Sequence, residues 1–147
     1  MTASALAEYL HSHMPLSRSM GVSVLSASAM EVMLEAPLAP NLNVHGTMFG
    51  GSIATLALLA AWSVVHLRLE DEQFAGQLVV SRSETDYLMP ISGQTRAIAR
   101  LGGVDWDHFS SQLVRHGKAR VTVTAEVLSN GLLAARLVGT FAAIQAE

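Results

Sequence analysis

The sequence predicts an α+β domain in which an antiparallel sheet wraps around one long buried helix. The residues from Ser52 to Leu69 are apolar on nearly every helical face until His66, and a helix that is hydrophobic all round is a buried helix. Apolar and polar residues alternate from Lys118 to Leu128, as in a strand with one packed face and one exposed face. The Asn130-Gly131 pair that follows is a strong signal for a two-residue hairpin turn.

The other elements follow from composition and from turn-forming residues along the chain. Residues 3–13 have the composition of a helix that ends near Pro15, and residues 20–36 contain two runs of strand alternation. Pro37 and Pro40 stop the second run and begin a loop that is rich in turn formers. Further strands are predicted at 77–87, 95–101 and 132–143, and a short helix is predicted between Asp105 and Gly117.

These elements account for the 147 residues, and no repeat, low-complexity tract or linker divides them, so residues 1–147 are predicted to form a single domain. The uncharged stretch from Gly46 to Val65 approaches the length that crosses a membrane. Its glycine-rich start and its hydroxyl residues Ser52, Thr55 and Ser63 favour a buried helix over a membrane span. We expect a cytoplasmic protein without a membrane partner, because the first 19 residues lack the charge and apolar core of a signal peptide.

Charge and cysteine content argue against several classes of function. Nine basic residues against twelve acidic ones give a net charge of −3, and no basic stripe indicates a nucleic-acid partner. The absence of cysteine excludes disulfides, thiolate catalysis and cysteine-based zinc sites. The six histidines do not have metal-ligand spacing, so we expect neither a metal nor another cofactor.

The loop before the long helix carries the motif N-x-H-G-T-x-F-G-G-S, from Asn43 to Ser52. Together with the helix it resembles the hotdog-fold thioesterases, and it is most similar to a thioesterase domain that also occurs fused behind a bacterial N-acetyltransferase domain. The segment from Asp86 to Gly93 resembles the strand and Pro-Gly turn that hotdog enzymes carry after the central helix. The resemblance covers residues 15–143. It implies the hotdog fold, hydrolysis of an acyl-CoA or acyl-carrier thioester, and a homodimer or dimer of dimers with sites at the interface.

One departure from that pattern concerns the mechanism. Many hotdog thioesterases have His-Gly-Gly before the helix and a catalytic Asp or Glu two turns into it. Aligned on the double glycine, Phe49 replaces that histidine and Leu58 takes the place of the acid. The family's usual carboxylate therefore has no counterpart between Gly46 and Leu69.

The predicted substrate site is the start of the long helix. Gly50 and Gly51 let the backbone approach a ligand closely, and the first N–H groups of a helix lack internal partners and carry the positive end of its dipole. A thioester carbonyl placed there would gain donors for its developing oxyanion. Ser52 is included in this site, although a helix-capping role is the simpler interpretation of that residue. The two glycines could equally serve only to turn the chain into a crowded helix.

Three residues are candidates for the acid–base chemistry. His45 can take a proton from water near pH 7, and Asn43 can orient that water or bind the carbonyl. The structural alternatives are a loop histidine bonded to nearby backbone and a turn-forming asparagine. Glu84 is the rival base, since it shares one face of the third strand with Arg82 and Asp86, which is also the pattern of a solvated strand face.

Two further functions remain open at this level. The missing helix carboxylate favours a non-catalytic acyl-CoA-binding module that keeps the pocket without turnover. A dehydratase or hydratase on the same scaffold is the other, because one fold supports many functions.

Overall fold

The computed structural model describes all 147 residues, and the predicted elements are present in the predicted order. A five-residue helix that begins at Pro15 and a short 3₁₀ turn were not predicted from sequence. The helices are α1 (Ala3–His13), α2 (Pro15–Ser19), α3 (Gly50–Asp71) and α4 (Trp106–His116), with the 3₁₀ turn at Ala39–Asn41. The strands are β1 (Ser23–Ala27), β2 (Glu31–Ala36), β3 (Gly76–Tyr87), β4 (Thr95–Arg100), β5 (Lys118–Ser129) and β6 (Leu132–Gln145).

The six strands form one sheet in the order β1-β2-β4-β5-β6-β3, and every neighbouring pair is antiparallel. The hairpin of β5 and β6 turns at Asn130 and Gly131, both of which have the positive φ that such a turn requires. β1 and β3 are the two edges of the sheet. This arrangement, with one long helix against the sheet, confirms the predicted hotdog fold.

The long helix α3 is the core of the domain. Eleven of its 22 residues are buried, and Ala57, Ala60 and Ala61 are completely inaccessible, which lets the sheet lie close to the helix axis. By length and composition α3 could cross a membrane, but its apolar surface packs inside a cluster of 34 buried hydrophobic residues. The predicted buried helix is therefore the correct interpretation of the uncharged stretch.

One stripe of α3 is not covered by the sheet. Thr55, Leu58, Trp62 and His66 follow one another at helical spacing, and each is only half-buried. Trp62 and His66, in the second half of this stripe, lie beside Leu78 and Val79 of the exposed strand β3. The stripe is therefore one part of α3 that a ligand can reach from outside.

Candidate functional site

The start of α3 presents two free backbone donors. The helix begins at Gly50, and its N-cap is Phe49, whose carbonyl accepts the N–H groups of Ser52 at 3.0 Å and Ile53 at 3.1 Å. No side chain caps the helix, and the N–H groups of Gly50 and Gly51 have no acceptor in the loop before it. Both donors therefore point out of the first turn at the positive end of the helix dipole.

Ser52 does not cap the helix, contrary to the simpler interpretation of the sequence. Since α3 begins two residues before the predicted start, Ser52 lies inside the first turn, where its hydroxyl makes no hydrogen bond. The side chain is half-buried beside the two glycines. The absence of a capping hydroxyl is also what leaves the first two N–H groups without partners.

Two aromatic side chains flank these donors. The Tyr87 hydroxyl, at the end of β3, donates a 2.8 Å hydrogen bond to the Gly50 carbonyl. A methyl group added at Gly50 would lie 3.4 Å from the Tyr87 ring, an ordinary contact, whereas one at Gly51 would collide with the ring of Phe49. Phe49 is 56% exposed, so its ring lies over Gly51 on the surface. Tyr87 was not recognised as a site residue from sequence, because its contact with Gly50 joins residues 37 positions apart.

The loop that carries Asn43 and His45 is closed by the asparagine amide. The Asn43 Oδ1 atom accepts the N–H groups of His45 at 2.8 Å and Thr47 at 3.2 Å, and Nδ2 donates to the Thr47 hydroxyl at 2.7 Å. Both ends of the amide are thus used inside the loop, as expected of a turn-forming asparagine. The His45 ring is exposed and makes no hydrogen bond of its own.

A second asparagine, Asn41, anchors this loop to the rest of the domain. Its buried side chain donates to the carbonyls of Met20 and Pro37, both at 2.8 Å, and its own carbonyl accepts the N–H of Phe49 at 2.7 Å. The residue that caps α3 is therefore held directly by Asn41. Sequence spacing does not reveal this anchoring role, since Asn41 and Met20 are 21 positions apart in the chain.

Glu84 lies on the other side of the sheet from α3. Thr85 and Tyr87 lie opposite Leu137 and Ala135 of β6, which are buried, so they are on the face of the sheet that packs on α3. Residues 82 and 84 alternate with them and are therefore on the outer face. Glu84 is exposed and pairs with Arg82, as its place on a solvated strand face predicts. Within one protomer the structure brings Gly50, Gly51, Ser52 and the Asn43–His45 loop to one end of α3, and it does not bring Glu84 there.

Comparison with known proteins agrees with this architecture. Residues 3–145 match the family described as "Putative thioesterase (yiiD_Cterm)". The structure is similar to a "putative thioesterase" from Shewanella oneidensis, with 31% identity, a TM-score of 0.86, and coverage of 97% of this chain and 96% of that one. It is also similar to a protein of unknown function from Chlorobaculum tepidum, with 28% identity, a TM-score of 0.91, and coverage of 98% and 94%.

A "probable thioesterase" from Pseudomonas aeruginosa shares the fold, at 22% identity and a TM-score of 0.82, with coverage of 97% of this chain and 96% of that one. The family match extends over nearly the whole chain, and the relatives share the central helix wrapped by one antiparallel sheet. This chain therefore belongs to the hotdog-fold family described as "Putative thioesterase (yiiD_Cterm)".

Proposed function

We propose that this protein hydrolyses acyl-CoA or acyl-carrier thioesters in the cytoplasm, with the thioester carbonyl bound at the start of α3. The observation that carries the proposal is the pair of free N–H groups of Gly50 and Gly51 at the positive end of a 22-residue helix. Such donors stabilise the negative charge that develops on the carbonyl oxygen when water attacks. The family match supports the same reaction class.

We propose His45 as the general base that activates this water. Its ring is free of hydrogen bonds, and its loop leads within a few residues to Phe49 and Gly50. Asn43 then acts by holding the loop through the four hydrogen bonds of its amide, and Ser52 lies beside the bound carbonyl. Glu84 remains the rival base only if a second protomer places its outer strand face near the site.

The test of the proposed function is a screen of hydrolysis across short-chain, medium-chain and aryl CoA esters. We expect release of free CoA thiol from at least one group of esters, at a rate that saturates with substrate concentration. Heat-treated protein and free pantetheine esters serve as controls for spontaneous hydrolysis and for recognition of the carrier. Saturable binding of acyl-CoA with no thiol release would contradict the proposal and would favour the non-catalytic module. Leu58, in place of the family's carboxylate, is the observation that favours that second function.

We further propose that two protomers join through β3. This strand is a 12-residue edge, and ten of its residues are exposed, among them Val79 and Val80. Proteins avoid leaving a long edge strand unpaired, because its free N–H and C=O groups would pair with other chains. A second copy that pairs along β3 satisfies these groups with a symmetric interface.

Replacement of Thr85 by proline should convert the dimer to a monomer. The Leu88 N–H donates to the Ala134 carbonyl on β6, so by strand alternation the N–H of Thr85 faces the free edge. Proline there removes a donor to the partner and leaves the bonds to β6 intact. Light scattering should give about twice 15.6 kDa for the wild type and for Thr85→Val, and 15.6 kDa for Thr85→Pro. A wild-type monomer at micromolar concentration would contradict the proposed dimer.

A further inference from the structure

A groove lies at the end of β3 opposite the helix start described above. It encloses about 360 Å³ between α3, β3 and α1, and its walls include Tyr9, Trp62, His66, Phe74 and Leu78. The Trp62 indole N–H donates a 2.9 Å hydrogen bond to the Leu78 carbonyl, which fixes the ring against the strand. The groove opens beside the free edge of β3, and it is separate from the loop and helix start that form the candidate site.

One wall of the groove is a column of stacked rings. The ring centroids of Trp62 and His66 are 4.6 Å apart, those of His66 and Tyr9 are 4.8 Å apart, and His13 stacks on Tyr9 at 4.1 Å. Burial lowers the pKa of His66, against the opposing effect of the Glu70 carboxylate, so burial favours the neutral ring. With its N–H group engaged by Leu78, Trp62 offers the groove an apolar aromatic surface.

The hydrogen bonds of β3 restrict how two copies can pair. The Ala146 N–H donates to the Ala75 carbonyl, so the backbone groups of Ala75 point toward β6 and those of Gly76 point toward the free edge. A bulge at Ser81 then shifts this alternation by one residue. The residues whose backbone groups face the free edge are therefore Gly76, Leu78, Val80, Ser83, Thr85 and Tyr87. A twofold axis between Ser81 and Arg82 places all six opposite one another, because the bulge then lies at the centre. The Leu78 carbonyl already accepts a hydrogen bond from the Trp62 indole, so only its second lone pair is open to the partner. In that register Leu78 lies opposite the partner's Thr85, and Gly76 lies opposite the partner's Tyr87.

This register brings the two ends of β3 together across the interface. One end carries the Tyr87 hydroxyl bonded to Gly50, and the other carries the Leu78 carbonyl bonded to Trp62. The groove of one protomer therefore lies beside the helix start of the other. Within one protomer Trp62 is twelve residues from Gly50 along α3, or roughly 18 Å at the rise of a helix, which is beyond the reach of an aryl or short-chain acyl group whose carbonyl is at Gly50.

We propose that the groove lined by Trp62 and His66 is the acyl slot for a thioester held at the partner's Gly50, and that it selects acyl groups carrying an aromatic ring. This inference rests on the proposed thioesterase function and on the β3 dimer. The acyl ring lies against Trp62, in line with the existing column of stacked rings. Stacking between aromatic rings adds about 2- to 10-fold to the preference over an aliphatic group of similar area. Trp62 thus determines specificity in the partner's site, while chemistry occurs at the partner's helix start.

A mixed dimer tests whether Trp62 acts across the interface. Two copies with different affinity tags are co-expressed, one carrying Gly50→Pro and the other Trp62→Ala, and the mixed dimer is purified through both tags. If Trp62 serves the partner's Gly50, one of the two sites contains both native residues and the other contains neither. Hydrolysis of phenylacetyl-CoA should then recover to about half the wild-type rate per dimer. If Trp62 serves its own protomer, no site is intact and the rate stays at the mean of the two mutant homodimers, which would overturn the inference.

The Trp62→Ala homodimer should show the change in specificity directly. We expect kcat/KM for phenylacetyl-CoA to fall about 10- to 100-fold and the ratio of phenylacetyl-CoA to butyryl-CoA to fall about 10-fold. Trp62→Phe keeps a ring without the bond to Leu78 and should retain most of the ratio. Trp62→Leu, which fills space without a ring, should lose it and replaces the alanine variant if that one does not fold. An unchanged ratio in folded Trp62→Leu would overturn the assignment of the slot.

A binding measurement separates failure of the slot from failure of the proposed reaction. In the Trp106→Phe background Trp62 is the only tryptophan, so its fluorescence reports ligand in the groove. Phenylacetyl-CoA should quench this fluorescence in the dimer and not in Thr85→Pro, and CoA alone should quench it less. Quenching without hydrolysis would retain the slot and reject the thioesterase. Hydrolysis of aryl esters without quenching would reject the slot and retain the thioesterase.

Discussion

Replacing Gly50 with proline should lower kcat for thioester hydrolysis by about 10²–10³-fold, the usual loss when one oxyanion donor is removed. Proline has no N–H, so the substitution deletes the donor itself. The backbone accepts the change, because proline is favoured at the first position of a helix and Phe49 already has the extended φ of −60° and ψ of 133° that a residue before proline adopts. The effect should fall on kcat more than on KM, since the charge develops only in the transition state.

Gly50→Ala is the matched control for this substitution. It keeps the N–H, and its methyl group would lie at ordinary contact distance, 3.4 Å, from the Tyr87 ring. We expect alanine to retain activity within about threefold and both variants to keep the wild-type circular dichroism spectrum and thermal midpoint. Equal activity of the proline and alanine variants would show that the Gly50 N–H does not bind the reacting carbonyl. An equal loss of activity in both variants would instead indicate that activity depends on the free space beside Tyr87 and not on the Gly50 N–H donor.

Replacement of His45 by alanine should lower kcat by about 10²–10⁴-fold if its ring is the general base. The substitution should leave stability unchanged, because the ring makes no hydrogen bond and the bond that closes the loop comes from the His45 backbone N–H. His108→Ala, which removes an exposed histidine from α4, is the control and should behave as the wild type.

Two further variants separate His45 from the rival base. Glu84→Gln removes a carboxylate whose only partner is Arg82, so a large loss there, with His45→Ala close to wild type, would move the base to the partner's strand face. Asn43→Ala should reduce activity about 10- to 10²-fold and lower the thermal midpoint as well, because its amide closes the loop. If all three variants stay within about threefold of the wild type on the best substrate, this loop is not the catalytic site.

Local sequence determined most of the fold of this protein. The alternation of Lys118–Leu128 and the Asn130-Gly131 turn are signals that depend on residues close together in the chain, and both elements formed as predicted. The apolar run of α3 likewise required an environment that covers every face of the helix, and its glycine-rich start and hydroxyl residues favoured a protein core over a membrane. The double glycine, which directly precedes this apolar run, is likewise a local signal, and it predicted a candidate site at the start of the helix.

Only the tertiary structure decided which groups at that site are free and what lies near them. The N–H groups of Gly50 and Gly51 stay unpaired because the helix is capped by Phe49, and Phe49 is held by Asn41 through a contact that sequence spacing does not reveal. Tyr87 reaches Gly50, and Trp62 reaches Leu78, only because the sheet folds back over α3. Such contacts depend on strand order and register, which are set by packing of the whole sheet. The local sequence therefore determined the elements, while their packing determined the surroundings of the candidate site.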